Sequence, residues 1–141
     1  MTVSVRRTTS GGATNRISFK VYVVTGANTS SPIGASGEGS STTNDITPTI
    51  YMSTVNNSRG FGAATDWNAL GAPTSTDTED AANYSGQISV LSAYKAADTA
   101  TAGTAVTMNF DAAAGTPAWN WVGVEVKPAL APTVSGTVYA N

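Results

Sequence analysis

The chain has 141 residues, a formal net charge of -2 and only 11% charged side chains, against about 25% in an ordinary soluble domain. It contains no cysteine and no histidine, which excludes disulfides, thiolate chemistry, cysteine zinc sites and imidazole acid–base or metal chemistry. Its seven basic residues are scattered and no apolar run approaches the ~20 residues of a membrane span, so neither nucleic acid nor membrane is an expected partner.

Met1 to Arg7 alternate Val3 and Val5 with polar neighbours, giving a first short strand where an export signal would carry an apolar block. Ser10 to Ala13 turn the chain. The run Arg16–Thr25 sets Ile17, Phe19, Val21 and Val23 against Ser18, Lys20, Tyr22 and Val24, the two-residue period of a strand. Gly26 to Asp45 is dominated by Ser, Thr, Gly and Asn and is expected to be a long loop with at most one edge strand. Ile46 to Val55 is β-branched and aromatic, but Pro48 cannot donate to a ladder, so an edge or bulge is expected near its start.

Arg59 to Trp67 carries Phe61, Ala63 and Thr65 against Gly60, Gly62 and Ala64, a strand whose small face suits close approach by a neighbouring backbone. Residues 71 to 83 are expected to be a second long loop. Gln87 to Lys95 resumes the alternation, with Ile88, Val90 and Ser92 on one face. An Ala/Thr connection leads to Val106, Met108 and Phe110, which alternate with Thr107, Asn109 and Asp111. In the stretch Pro117–Pro128, Trp119, Trp121, Gly123 and Glu125 line one side of a strand and Asn120, Val122, Val124 and Val126 the other. Thr133 to Ala140 alternates again at Val134 and Val138, as a last strand or an arm onto a neighbouring subunit.

Seven to nine short strands without a convincing long helix imply an all-β fold, a β-sandwich with a jelly-roll-like arrangement preferred. A chain of this length can bury roughly 70% of its unfolded surface. Residues 1–129 are expected to form the sandwich domain and residues 130–141 a C-terminal strand or arm.

Four segments carry a resemblance: Tyr22–Ala27, Ser58–Ala69, Ile88–Lys95 and Ala118–Ala129. Together they resemble a β-sandwich domain of virion proteins from tailed phages of actinobacteria, over about residues 17 to 129. The resemblance implies a non-enzymatic structural protein on the particle exterior, a capsid decoration or minor tail protein, with other virion subunits (major capsid or tail proteins) as partners. It brings no catalytic motif and no cofactor. In those relatives a longer strand-rich region precedes the Tyr22 strand, so a strand missing here could be supplied by a neighbour, by the Thr133–Ala140 tail, or by both. A homo-oligomer, preferably a trimer, would cover such edges.

The alternative function is a carbohydrate-binding or adhesion module. Asp66, Trp67 and Asn68, with Tyr84, could stack a sugar ring on an aromatic face and hydrogen-bond its hydroxyls, whereas a strand-terminal Trp is more often simple packing. Trp119 and Trp121, with Val134, Val138 and Tyr139, are candidates for a subunit interface. Asp77, Glu79 and Asp80 gather oxygen donors of the kind Ca²⁺ takes, but without a full loop signature they read as a solvated acidic loop. Asp66 or Asp111 could supply one carboxylate of a hydrolytic pair, and nothing places a second.

Overall fold

Nine strands form in the computed structural model, which describes residues 20–131 apart from Gln87, and no helix occurs among these residues. In chain order they are β1 (Ile33–Ser41), β2 (Asp45–Ile46), β3 (Thr49–Met52), β4 (Arg59–Asp66), β5 (Thr78–Ser85), β6 (Ile88–Tyr94), β7 (Ala105–Thr107), β8 (Phe110–Asp111) and β9 (Trp119–Val126). The fold is all-β and its ladders are antiparallel. Five strands make one sheet in the order β1-β9-β4-β6-β5, and two short ladders, β2-β8 and β3-β7, stand apart from it.

The core lies between the large sheet and the short ladders. From the sheet come Ala64, Leu91, Ala93 and Trp119, and from across the core Ile50, Tyr51, Val106, Met108 and Phe110. The expected alternation of β4, β6 and β9 decides which side chains enter. On β9, Trp119, Gly123 and Glu125 are buried while Asn120 and Val122 face water, and on β4 the buried set is Gly60, Gly62, Ala64 and Asp66. Two glycines let the layers close. A Cβ on Gly37 would stand 2.3 Å from the Ile50 carbonyl oxygen, and one on Gly123 would stand 2.4 Å from Ile50 Cβ. Only bare backbone in β1 and β9 leaves room for β3 to pass over them.

Several expectations need correction. The strand expected over Arg16–Thr25 is not formed in its described part, because Lys20 to Thr25 take no ladder and Val23 is 81% exposed. Instead the segment drapes over the sheet's outer face: the Tyr22 ring meets Phe61 edge-on at 5.0 Å and Tyr94 at 6.3 Å. It is anchored where Ala129 N–H donates to Gly26 O (2.7 Å) and Asn28 N–H to Lys127 O (3.0 Å). The stretch Gly26–Asp45, expected as a long loop with at most one edge strand, does hold one, the nine-residue β1 at the border of the sheet, paired with β9 from Ser36↔Val124 to Ser41↔Trp119. Its inner residues are small because Ile50 and Trp121 pack against Gly37 and Gly39, so low apolar content here marks a tight fit and not a loop.

The loop expected at residues 71–83 likewise gives way to β5 from Thr78 onward, held by pairs such as Ala82↔Leu91 and Tyr84↔Ser89. The strand expected across Val106–Asp111 breaks at Met108–Asn109 into β7 and β8. Asn109 is the reason. Its amide donates to Asp45 Oδ1 (2.6 Å), its Oδ1 accepts from Thr76 N–H (2.9 Å) and its own N–H donates to Asp77 Oδ2 (2.8 Å). Pro48 does separate β2 from β3, and its carbonyl accepts from Met108 N–H at 3.1 Å. The first expected strand, Ser10–Ala13 and the Thr133–Ala140 strand or arm lie outside the described residues.

Candidate functional site

The ionisable groups that the fold buries are occupied in holding it together. Glu125, fully buried on β9, accepts hydrogen bonds from Ala35 N–H on β1 (2.9 Å), from Thr54 N–H (2.9 Å) and from the Thr54 hydroxyl, with the Ser53 hydroxyl at 3.1 Å. Burial by itself would raise its pKa, but the Thr54 hydroxyl, Ala35 N–H, Ser58 and Thr54 N–H favour the anion more strongly and hold it at about 2, against 4.5 for a free glutamate. Burial, reinforced by the Glu125 charge, pushes the neighbouring Tyr51 hydroxyl up to about 12. The carboxylate thus pins β9, β1 and the β3–β4 loop to one another.

Asp66 at the end of β4 has a comparable task. Its Oδ1 accepts from Asn68 N–H (3.0 Å) and Ala118 N–H (2.8 Å), while Oδ2 is buried with no partner among the described residues. The residue is therefore inside the protein and cannot line a surface sugar site alongside its neighbour. Asp77 is no solvated loop residue either, since it pairs with Lys95 Nζ and accepts from Asn109 N–H. Asp111 pairs with Asp45 across β2-β8 and bridges Thr74. Among the described residues no three His, Cys, Asp or Glu side chains gather as a metal site.

What the fold turns outward is aromatic and aliphatic. The turn secured by Asp66 presents Trp67 at 64% exposure with Leu70 at 65% beside it. Asn68 is also exposed. Tyr84, at 41%, reaches the same end of the sheet, because Asp66 and Tyr84 flank Ser89 in one cross-strand row. The structure therefore brings Trp67, Asn68 and Tyr84 to one end and removes Asp66 from their company.

No family model, curated protein or solved structure matches the chain.

Of the interface candidates, Trp119 is a core residue, 1% exposed, with its ring 6.2 Å from Phe110 and its indole N–H donating to Asn44 O at 3.3 Å. Trp121 is half-buried against Gly39. Val134, Val138 and Tyr139 lie outside the described residues. The surface that sequence reading missed is the outer face of the large sheet. There Phe61, Val90, Val122 and Val124 line a cleft of about 830 Å³, with Val122 53% exposed. Its signal was present in the outward valines of β9, which alternation alone assigns to a face without saying how much of it the Lys20–Thr25 segment covers.

Proposed function

We propose that this chain is a non-enzymatic structural protein on the exterior of a tailed-phage particle, a capsid decoration or minor tail protein. The observation that carries the reading is the outer face of the five-stranded sheet, which offers a concave apolar surface while the buried carboxylates Glu125 and Asp66 serve as internal hydrogen-bond acceptors. A protein made to pack against neighbours gains from apolar faces and edge strands, and many weak copies on one particle gain avidity that a single contact lacks. The resemblance over residues 17 to 129 supports the same role, and a two-layered, jelly-roll-like sandwich forming a cyclic homotrimer belongs to the proposal. Locating the chain by electron microscopy of assembled particles tests it. Density on the outside of head or tail is the expected result, and particles that contain no copies of the chain would refute it.

A second reading rests on the shared end of the sheet occupied by Trp67, Asn68 and Tyr84: two exposed rings and an amide suit a sugar ring and its hydroxyls on a host surface glycan. Saturable quenching of tryptophan fluorescence by bacterial cell-wall polysaccharide, lost in Trp67→Ala, would favour it. A flat titration would remove it.

A further inference from the structure

We infer that this chain's own segment preceding Lys20 fills the middle of the outer-face cleft, with Ile17 and Phe19 seated over Val122 and Ala63. Connectivity selects this occupant. Lys20 is the first of the described residues, and both Lys20 and Tyr22 line the cleft. The Phe19 Cα therefore starts about 3.8 Å from that of a residue already at the cleft wall. A segment tethered there is present at an effective concentration that is roughly millimolar, which a separate partner of equal intrinsic affinity does not reach in dilute solution.

The course of the described chain sets the direction. Ala27 pairs with Pro128 beyond the end of β9, the Tyr22 ring lies on Phe61 and Tyr94, and Lys20 reaches the cleft. Each step towards the N-terminus thus carries the chain further up the outer face. Phe61 and Val124 form one row of that face, and the next row, two residues along each strand, holds Ala63 and Val122. This second row is where the face is most in need of cover, since Val122 is 53% exposed and Ala63 beside it is too small to fill the space.

The residues that arrive there are suited to it. Ile17 and Phe19 alternate with Arg16 and Ser18, so an extended segment offers one apolar and one polar face. Tyr22 faces the sheet, and unbroken alternation from it would turn Ser18 and Arg16 inward. Lys20 to Thr25 form no ladder, however, so no register holds that phase. Burial decides it, because a ring and an aliphatic side chain gain by leaving water whereas a guanidinium over Val122 and Ala63 would lose its hydration. The particle role proposed above is independent of this contact, as β1 and β5 stand at the two borders of the sheet whether or not the cleft is filled.

The chain has no cysteine, so engineered pairs report proximity without background. In the full chain, Phe19→Cys combined with Val122→Cys should oxidise to a disulfide within one chain, read as an unreduced monomer by intact mass. Phe19→Cys combined with Met52→Cys, an equally exposed position on β3 across the core, should react at least about tenfold more slowly. Equal rates for the two pairs would overturn the assignment. So would a Val122 disulfide that forms only between chains and fades on dilution, which would place a second copy's segment in the cleft. Binding of a dye specific for exposed apolar surface gives an independent reading: Phe19→Asp should raise its fluorescence several-fold and Ser18→Asp should leave it unchanged, with Trp119 emission showing that each variant keeps its core. The reverse order, or no rise in either variant, would show that Phe19 does not cover this face.

Discussion

Replacing Glu125 with Gln removes one charge and one acceptor from the most heavily hydrogen-bonded buried carboxylate described in the fold. In the native protein it accepts from Ala35 N–H, Thr54 N–H and the Thr54 hydroxyl, all within hydrogen-bond distance and away from water. A glutamine presents a carbonyl to one side of this nest and an NH₂ to the other, so at least one donor then faces another donor. Leaving such a buried group unsatisfied costs about 1 to 3 kcal/mol. Ionisation leads to a similar figure. Carrying the carboxyl from 4.5 to about 2 on folding corresponds to about 3 kcal/mol at roughly 1.4 kcal/mol per pH unit.

The sign of the pH dependence follows from that depression. Between pH 4.5 and 2 the unfolded chain binds the Glu125 proton more readily than the folded one. The contribution is therefore complete above pH 4.5 and disappears as the pH falls through about 2. Urea unfolding followed by tryptophan fluorescence, with Trp119 in the core as reporter, measures it. At pH 7 the Glu125→Gln variant should be less stable by about 3 kcal/mol, a melting temperature roughly 10 °C lower. The gap between the two proteins should close as the pH approaches 2. If it stays constant from neutral pH to pH 2, the cost is one of packing, and the assignment of Glu125 as a charged pin is wrong.

Gly37→Ala should destabilise the fold by about 2 kcal/mol or more, because its Cβ would stand 2.3 Å from the backbone oxygen of Ile50 and one strand must move; a melting temperature unchanged in calorimetry would contradict the close approach of β1 and β3. Asp77→Ala should cost about 1 to 3 kcal/mol by stripping Asn109 N–H of its acceptor. Lys95→Ala, which loses the partly exposed half of the same ion pair, should cost less than about 1 kcal/mol, and the reverse order in urea titrations would show that the ion pair is the stronger tie. Asp66→Ala should cost about 2 kcal/mol through the lost acceptor for Asn68 and Ala118, while Trp67→Ala should remain within about 0.5 kcal/mol of the parent; a large loss in the second variant would place Trp67 in the chain's own packing.

Much of this was legible where alternation is strong and both faces differ in polarity. The faces of β9 and β4 and the shared, partly exposed face of Ile88 and Val90 on β6 follow from a two-residue period, and the structure keeps them, although Ser92 on the same strand is buried. The same rule failed at Lys20–Thr25, because alternation describes a segment's faces and not whether a strand edge is free to receive it. At β1 only the chance of one edge strand was legible and not its length: its Gly and Ser residues have little strand preference of their own and form nine residues of strand because β9 pairs with them and β3 packs over them. Asp66 and Trp67, adjacent in sequence, are separated by the wall of the protein, which no pairing of residue types could foretell.

Composition and local order, acting alone, determined the chemistry this protein lacks: without Cys or His, thiolate and imidazole functions are closed whatever the fold. They also determined the all-β class, since alternating faces and turn residues depend only on near neighbours in the chain. The uses of Glu125 and Asp66 were decided by tertiary structure. A carboxylate becomes a pin only through groups that folding brings from distant positions, as with Glu125 and the Ala35 and Thr54 amides or Asp66 and the Ala118 amide. Burial sets how strongly such contacts act, and burial is a property of the folded whole.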